Sequence, residues 1–276
     1  WAAQSRSHDA LLFKYEQDSL GWKVHLGGAF NQNVPFEPGK LDGTFYSGVN
    51  NYKTMFYLWA NKKGPWGQLS FLAHDDGRQV ARDSSVAHRQ TLGLFGDFPL
   101  TGRLSLQGEL YYQTGEVPAG RDLSAVMATV YFSYKPDQVV YTLGGEYLSG
   151  TAPNEQEESH AFNPLYGTNH KFYGYMDYFY VGNNHGQNGN TAGLIDINAR
   201  GKFPVGPGSL EAKVHNFLSP VEVLDPEQPG NTLSRQLGVE VDLVYTVNVV
   251  RALNVQGGYS QMFGTPSLEA LKGGGA

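Results

Sequence analysis

The chain has 276 residues, 40% of them hydrophobic, with a formal net charge of −6 and no cysteine. That apolar content excludes a purely disordered chain, the lack of cysteine excludes disulfides and thiolate metal sites, and the negative balance leaves no basic footprint for nucleic acid. No apolar run reaches the roughly 18 residues of a membrane helix, while Gly 35 and Tyr 17, with turn signals at short intervals, favour an all-β fold.

The chain starts at Trp1 without a signal peptide, as a processed or partial chain would. Period-two alternation begins almost at once. Leu11, Phe13 and Tyr15 oppose Leu12, Lys14 and Glu16; after the DSLG turn, Trp22, Val24, Leu26 and Phe30 oppose Lys23, His25 and Asn31. Residues 32–51 read as loop. Thr54, Phe56, Leu58 and Ala60 oppose Met55, Tyr57, Trp59 and Asn61, KKGP turns the chain, and Leu69, Phe71 and Ala73 oppose Gln68, Ser70 and His74. Asp75 to about Ala87 reads as a polar loop. Leu92 and Leu94 oppose Arg89, Thr91 and Gly93. After DFPLT, Leu104, Leu106, Leu110 and Tyr112 oppose Ser105, Gln107, Glu109, Tyr111 and Gln113, the cleanest alternation in the chain.

GEVPAGRD reads as another polar loop. Val126, Ala128, Val130 and Phe132 share one face of the next strand. Beyond KPD, Tyr141, Leu143 and Tyr147 oppose Thr142 and Glu146. Residues 150–191 fit no simple strand pattern and are dense in aromatic, His and acidic side chains. Alternation resumes with Ile195, Ile197, Ala199 and Phe203 against Asp196, Asn198, Arg200 and Lys202. It continues with Leu210, Ala212 and Val214 against Glu211, Lys213 and His215. A Pro-rich loop spans 218–235. Leu237, Val239, Val241, Leu243 and Tyr245 then share one face, opposite Glu240, Asp242 and Val244. Leu253, Val255 and Tyr259 oppose Asn254, Gln256 and Ser260.

About twelve strands of roughly ten residues, apolar on one face and polar on the other, match an antiparallel transmembrane β-barrel better than a sandwich, whose strands are commonly shorter. Aromatics near strand ends (Tyr15, Trp22, Tyr147, Tyr245, Tyr259) suit a lipid-facing girdle. Short connections alternate with the long ones at 32–51, 75–87, 114–122, 150–191 and 218–235, as periplasmic turns alternate with external loops. The alternation holds with 150–191 as one long external loop, and two further spanning strands within it would restore the parity equally well. Parity and barrel closure predict a single domain over 1–276 that lacks its N-terminal strands and a closing strand after Ala276.

The stretch SG…AFNPLYGTNHKFYGYMDYF, with QSRSHDALLFKY near the start and LGVEVDLVYTV and VQGGYSQMFGTPSLEALKGG near the end, resembles the alginate export family of bacterial outer-membrane barrels. The resemblance covers most of the chain. It implies a barrel of about 18 strands, closed to lipid, that exports an acidic polysaccharide or serves as a less characterised channel. It places the protein in the outer membrane, with lipid, an anionic polysaccharide and other envelope proteins as partners.

The lumen-facing positions are where selectivity would be set. Glu109, Glu146, Arg200, Lys202, Lys213, Glu240 and Asp242 are expected to point inward, several of them in cross-strand pairs. Over the whole inward face the signs balance, which argues against a strongly anion-selective pore. In the long loop, Phe162 to Phe179 is too apolar to sit solvated, and Pro164 with Gly167 gives a turn that redirects it toward the pore. Asn169, His170, Lys171 and Asp177 are then the polar groups nearest any cargo. Asn and His hydrogen-bond sugar hydroxyls, and Lys171 pairs with a carboxylate.

Other chemistries find less in the residues. His160, His170 and His185 with Asp177 match no compact metal-ligand spacing. NEQEES is an acidic run of the type that binds calcium, with a solvated loop as the simpler account. Ser149, His170 and Asp177 have no spacing that argues for a hydrolase triad, and no phosphate loop of strand-to-helix type occurs. The expectation is a non-enzymatic channel or exporter; the alternative is a structural barrel subunit of an envelope complex, its pore plugged by the long loop.

Overall fold

The computed structural model describes residues 8–32, 52–80, 85–118, 120–165, 172–179 and 185–272. In chain order the strands are β1 Ala10–Gln17, β2 Trp22–Phe30, β3 Thr54–Gly64, β4 Gly67–Gln79, β5 Val86–Pro99, β6 Leu104–Glu116, β7 Asp122–Tyr134 and β8 Val140–Leu148. Short strands β9 Glu158–Ser159, β10 Gly186–Gln187 and β11 Asn190–Thr191 follow. Then come β12 Leu194–Val205, β13 Gly208–Leu218, the short β14 Val223–Leu224 and β15 Thr232–Leu233, β16 Gln236–Val250, β17 Leu253–Gly264 and helix α1 Pro266–Lys272.

The long strands form one antiparallel sheet in the order β1-β2-β3-β4-β5-β6-β7-β8-β12-β13-β16-β17, twelve strands as the alternation anticipates. Neighbours in sequence are neighbours in space, because each short turn closes a hairpin. At the first turn Gly21 adopts φ +66, and a Cβ there would stand 2.1 Å from the Lys63 carbonyl oxygen, so only glycine fits.

One face of the sheet is bare and apolar. Leu110, Val130, Leu143 and Leu243 are exposed, Leu143 at 61%, and Leu106 and Val239 on the same face are half-buried. A sandwich would bury these side chains between two sheets; here none is in a dry core. The opposite, inner face carries the charged positions. Toward the loop end of the strands it turns apolar: Leu123, Ala125, Leu148, Leu194, Phe217, Leu237 and Met262 join Phe162, Tyr173, Phe179, Leu268 and Leu271 in a hydrophobic core. The long loop and α1 therefore lie against the inside of the wall, held there by burial of apolar area.

Four expectations need correcting. The polar loop at 75–87 is largely strand: β4 runs to Gln79 and β5 starts at Val86, because Asp76 and Arg89 stand opposite each other and zip the ends with a buried bidentate ion pair (2.9 and 2.8 Å). Likewise β6 and β7 extend to Glu116 and from Asp122, shortening the loop between them. The insertion at 150–191 is not strand-free, since β9 pairs in parallel with β7 and β10 pairs with β11; within 218–235, β14 pairs with β15. Finally, Leu237 does not share the outward face of Val239. A register shift opposite Phe217 and Leu218 turns Leu237 inward, where it is 0% exposed.

Candidate functional site

The site forms where the long loop meets the inner face of β6, β7, β8, β12, β13 and β16. Its entry is clamped at two points. The Phe162 amide donates to the Ser149 carbonyl at 3.0 Å. Gln113, wholly buried on β6, holds Asn163 by a pair of bonds, donating from Nε2 to its carbonyl and accepting from its amide, both at 2.9 Å. Phe162, Pro164 and Leu165 then line an inner cavity, and Phe172 and Tyr173 line it again on the way back.

Past the cavity the loop is pinned on Glu240. The Met176 amide donates to Glu240 Oε1 at 3.0 Å, with the Tyr175 amide alongside. Gly174 sits at φ +83 with its would-be Cβ 2.4 Å from the same carboxylate. Phe179 packs at a tilt on Phe217 (4.6 Å between centroids) and meets the edge of His185 at 5.0 Å, while the Lys272 ammonium stands 5.7 Å over the Phe179 ring. His185 Nε2 donates to the Gly193 carbonyl at 2.7 Å, and burial pushes its imidazole down to about 4, so it is neutral near pH 7.

Below the loop a polar network runs across the sheet. Tyr131 donates to Glu146 Oε1 at 2.7 Å and Tyr173 reaches the same carboxylate. Asn198 bridges Tyr131 (3.2 Å) to Asp196 (2.9 Å). His215 Nδ1 lies 2.8 Å from Asp196, and its Nε2 lies 3.7 Å from Asp242. Asp196, His215 and Glu240 are 0% exposed and Asp242 is 1% exposed, and these four side chains retain buried polar atoms with no hydrogen-bond partner among the described residues. The cavity on the lumen side of this network has a volume of about 550 Å³. Glu109, Glu146, Arg200 and Lys213 supply its charges, and Tyr111, Tyr131, Gln107, Gln113 and Asn198 its neutral polar groups.

Of the anticipated inward charges, Glu109, Glu146, Arg200 and Lys213 thus come together on one cavity. Glu240 and Asp242 lie buried beside the loop rather than on the cavity surface. Lys202 stands opposite Glu211, nearer the turn end. The pairing is not uniformly complementary: Lys213 faces Asp242 on one side and Arg200 on the other. Asp177 is exposed, at φ 59, and Asn169, His170 and Lys171 lie outside the described residues. Tyr111, Tyr131, Asn198 and His215 occupy inward period-two positions, and that signal marks them for the lumen.

Of the side chains weighed for other chemistries, His170 lies outside the described residues. The Ser149 hydroxyl accepts from the Val126 amide at 2.8 Å, a structural cap. The Glu155 carboxylate accepts from the amides of Glu157 (2.7 Å) and Glu158 (3.2 Å), which hold it below the usual carboxylate range; this run folds as a self-capped turn. His160 binds the Ser124 carbonyl at 3.0 Å, far from His185 in role. Among the described residues no group of three or more His, Asp or Glu side chains is arranged to hold a metal ion.

A meandering antiparallel wall, bare and apolar outside and polar within, with a loop folded onto its inner face, is the architecture of outer-membrane β-barrels. Pseudomonas aeruginosa OpdQ, an outer-membrane β-barrel known from its crystal structure, superposes with a TM-score of 0.51 over 95% of this chain and 67% of its own, at 14% sequence identity. That likeness fixes the fold. No protein-family model and no curated protein matches the chain.

Proposed function

We propose that this chain forms the wall of a passive, non-enzymatic channel in the outer membrane, passing hydrophilic solutes through a lumen narrowed by the 172–179 loop. One observation carries the proposal. The same strands that leave Leu110, Val130 and Leu143 bare on one side present a polar cavity of about 550 Å³ on the other. Apolar side chains facing hydrocarbon and ionisable ones facing water are what a membrane-spanning barrel requires. The likeness to OpdQ supports the same reading at the level of fold. Acidic polysaccharide is the cargo implied by the resemblance to the alginate export family, and Arg200, Lys202 and Lys213 are the side chains that would meet its carboxylates.

A second reading has its own observation. Phe162, Phe179, Phe217 and Leu268 make a dry apolar core inside the wall, as expected of a structural subunit whose pore is plugged. Planar-bilayer recordings of the full protein, with and without residues 162–179, separate the two. The channel reading expects conductance steps from the intact protein and larger steps after deletion. Steps from the deletion alone would establish the plugged form. Silence from both, with the barrel folded, would overturn the channel.

A further inference from the structure

The charges around the cavity are segregated. On β12, Asp196 and Arg200 both point inward, four residues and therefore about 13 Å apart along the strand. Glu146 stands opposite Asp196, and Lys213 stands opposite Arg200. Among the charges that line the cavity, Glu109 and Glu146 thus lie toward its loop end and Arg200 and Lys213 toward its turn end, with the buried Asp242 beside Lys213 behind the lining.

The cavity-lining acids and cations make no direct ion pair with each other. The Glu146 carboxylate is held by the Tyr131 hydroxyl at 2.7 Å. Among the described residues neither Arg200 nor Lys213 forms an ion pair; Arg200 Nη2 reaches the Thr142 hydroxyl at 3.4 Å. Like charges directly opposite on a sheet repel, so the Arg200–Lys213 pair is unfavourable by itself and favourable with an anion between its heads. A carboxylate buried beside tyrosines is likewise stabilised by an arriving cation.

We propose that this cavity is a binding site for small zwitterions, with an ammonium group taken by Glu109 and Glu146 and a carboxylate taken by Arg200 and Lys213. The proposal rests on the channel reading and names its solute class. The volume is within the range of small-molecule sites. A solute with one charge meets attraction at one end and repulsion at the other, whereas a zwitterion oriented along the strands meets attraction at both.

Triglycine suits the test, because its ammonium and carboxylate stand about 10 Å apart when extended. Proteoliposomes of the full protein are compared for swelling in triglycine, N-acetyl-triglycine and triglycine amide. These probes are zwitterionic, anionic and cationic, and nearly equal in size. The expected result is faster entry of triglycine by about three- to tenfold, the factor that one or two charge contacts in a wet lumen provide. R200E and K213E should each abolish that preference and shift it toward the amide. R200Q, a milder change, should reduce it in a barrel confirmed as folded by heat-modifiable gel mobility. Equal entry of all three probes would overturn the zwitterion site and leave the channel standing. Failure of every probe to enter, together with electrically silent bilayers, would overturn both.

Discussion

Gly174 offers a direct way to release the loop. Its φ of +83 is the left-handed region, which costs an alanine about 1–2 kcal/mol. The added Cβ would also lie 2.4 Å from Glu240 Oε1 and 2.6 Å from Oε2, so the carboxylate must move. Glu240 is 0% exposed and holds the Met176 amide, and displacing it forfeits a hydrogen bond to a charged group, about 1.5–3 kcal/mol. Together G174A should weaken loop docking by roughly 2.5–5 kcal/mol, a factor of about 60 to a few thousand in the docked population. Gly206 is the control. It has φ +55 in the β12–β13 turn and nothing within 4 Å of its would-be Cβ, so G206A carries backbone strain without a clash and far from the loop. Single-channel recording should show larger or more frequent open levels for G174A and wild-type levels for G206A. Matching conductance in both variants, with both barrels folded, would refute the pinning argument.

The remaining predictions test other links. Arginine at Leu143 or Leu110 should lower refolding stability in liposomes by about 2–4 kcal/mol if those positions face mid-membrane hydrocarbon; an unchanged urea midpoint would place them elsewhere. D76A should cost about 3–5 kcal/mol by leaving Arg89 buried without its partner, and D76A/R89A should recover part of that in a double-mutant cycle read by heat-modifiable gel mobility. For His185 the folded pKa is lowered to about 4 from an ordinary value of 6.5, so the stability it contributes is present above pH 6.5 and lost as pH falls toward 4. Amide exchange in residues 185–193 should accelerate across that window, and H185F should flatten the pH dependence; a wild-type profile in H185F would show that another group is responsible.

Much of the fold is legible in the residues one at a time. A strand has a strict period of two, so Leu143 and Leu110 on one side and Glu146 and Glu109 on the other are separated by arithmetic alone. Turn signals such as DSLG and KKGP announce the hairpins, and the composition of 162–179 announces a segment that cannot remain in water. The strand ends were less legible, because Asp75–Arg78 looks like loop until Arg89 is placed across from Asp76. Leu237 departs from the alternation for a related reason. A β-bulge breaks the period by one residue, and it is created by pairing with β13, which no local pattern reports. The site shows the same division. That Glu146, Asp196, Arg200 and Lys213 face inward follows from alternation, and so does the near-equality of inward charge. That the cavity-lining Glu109 and Glu146 gather toward one end and Arg200 and Lys213 toward the other depends on register across four strands, a relation between segments far apart in the chain. The docking of Met176 on Glu240, 64 residues away, is likewise a matter of tertiary structure, because it needs a loop and a strand to be brought together before a hydrogen bond can form between them.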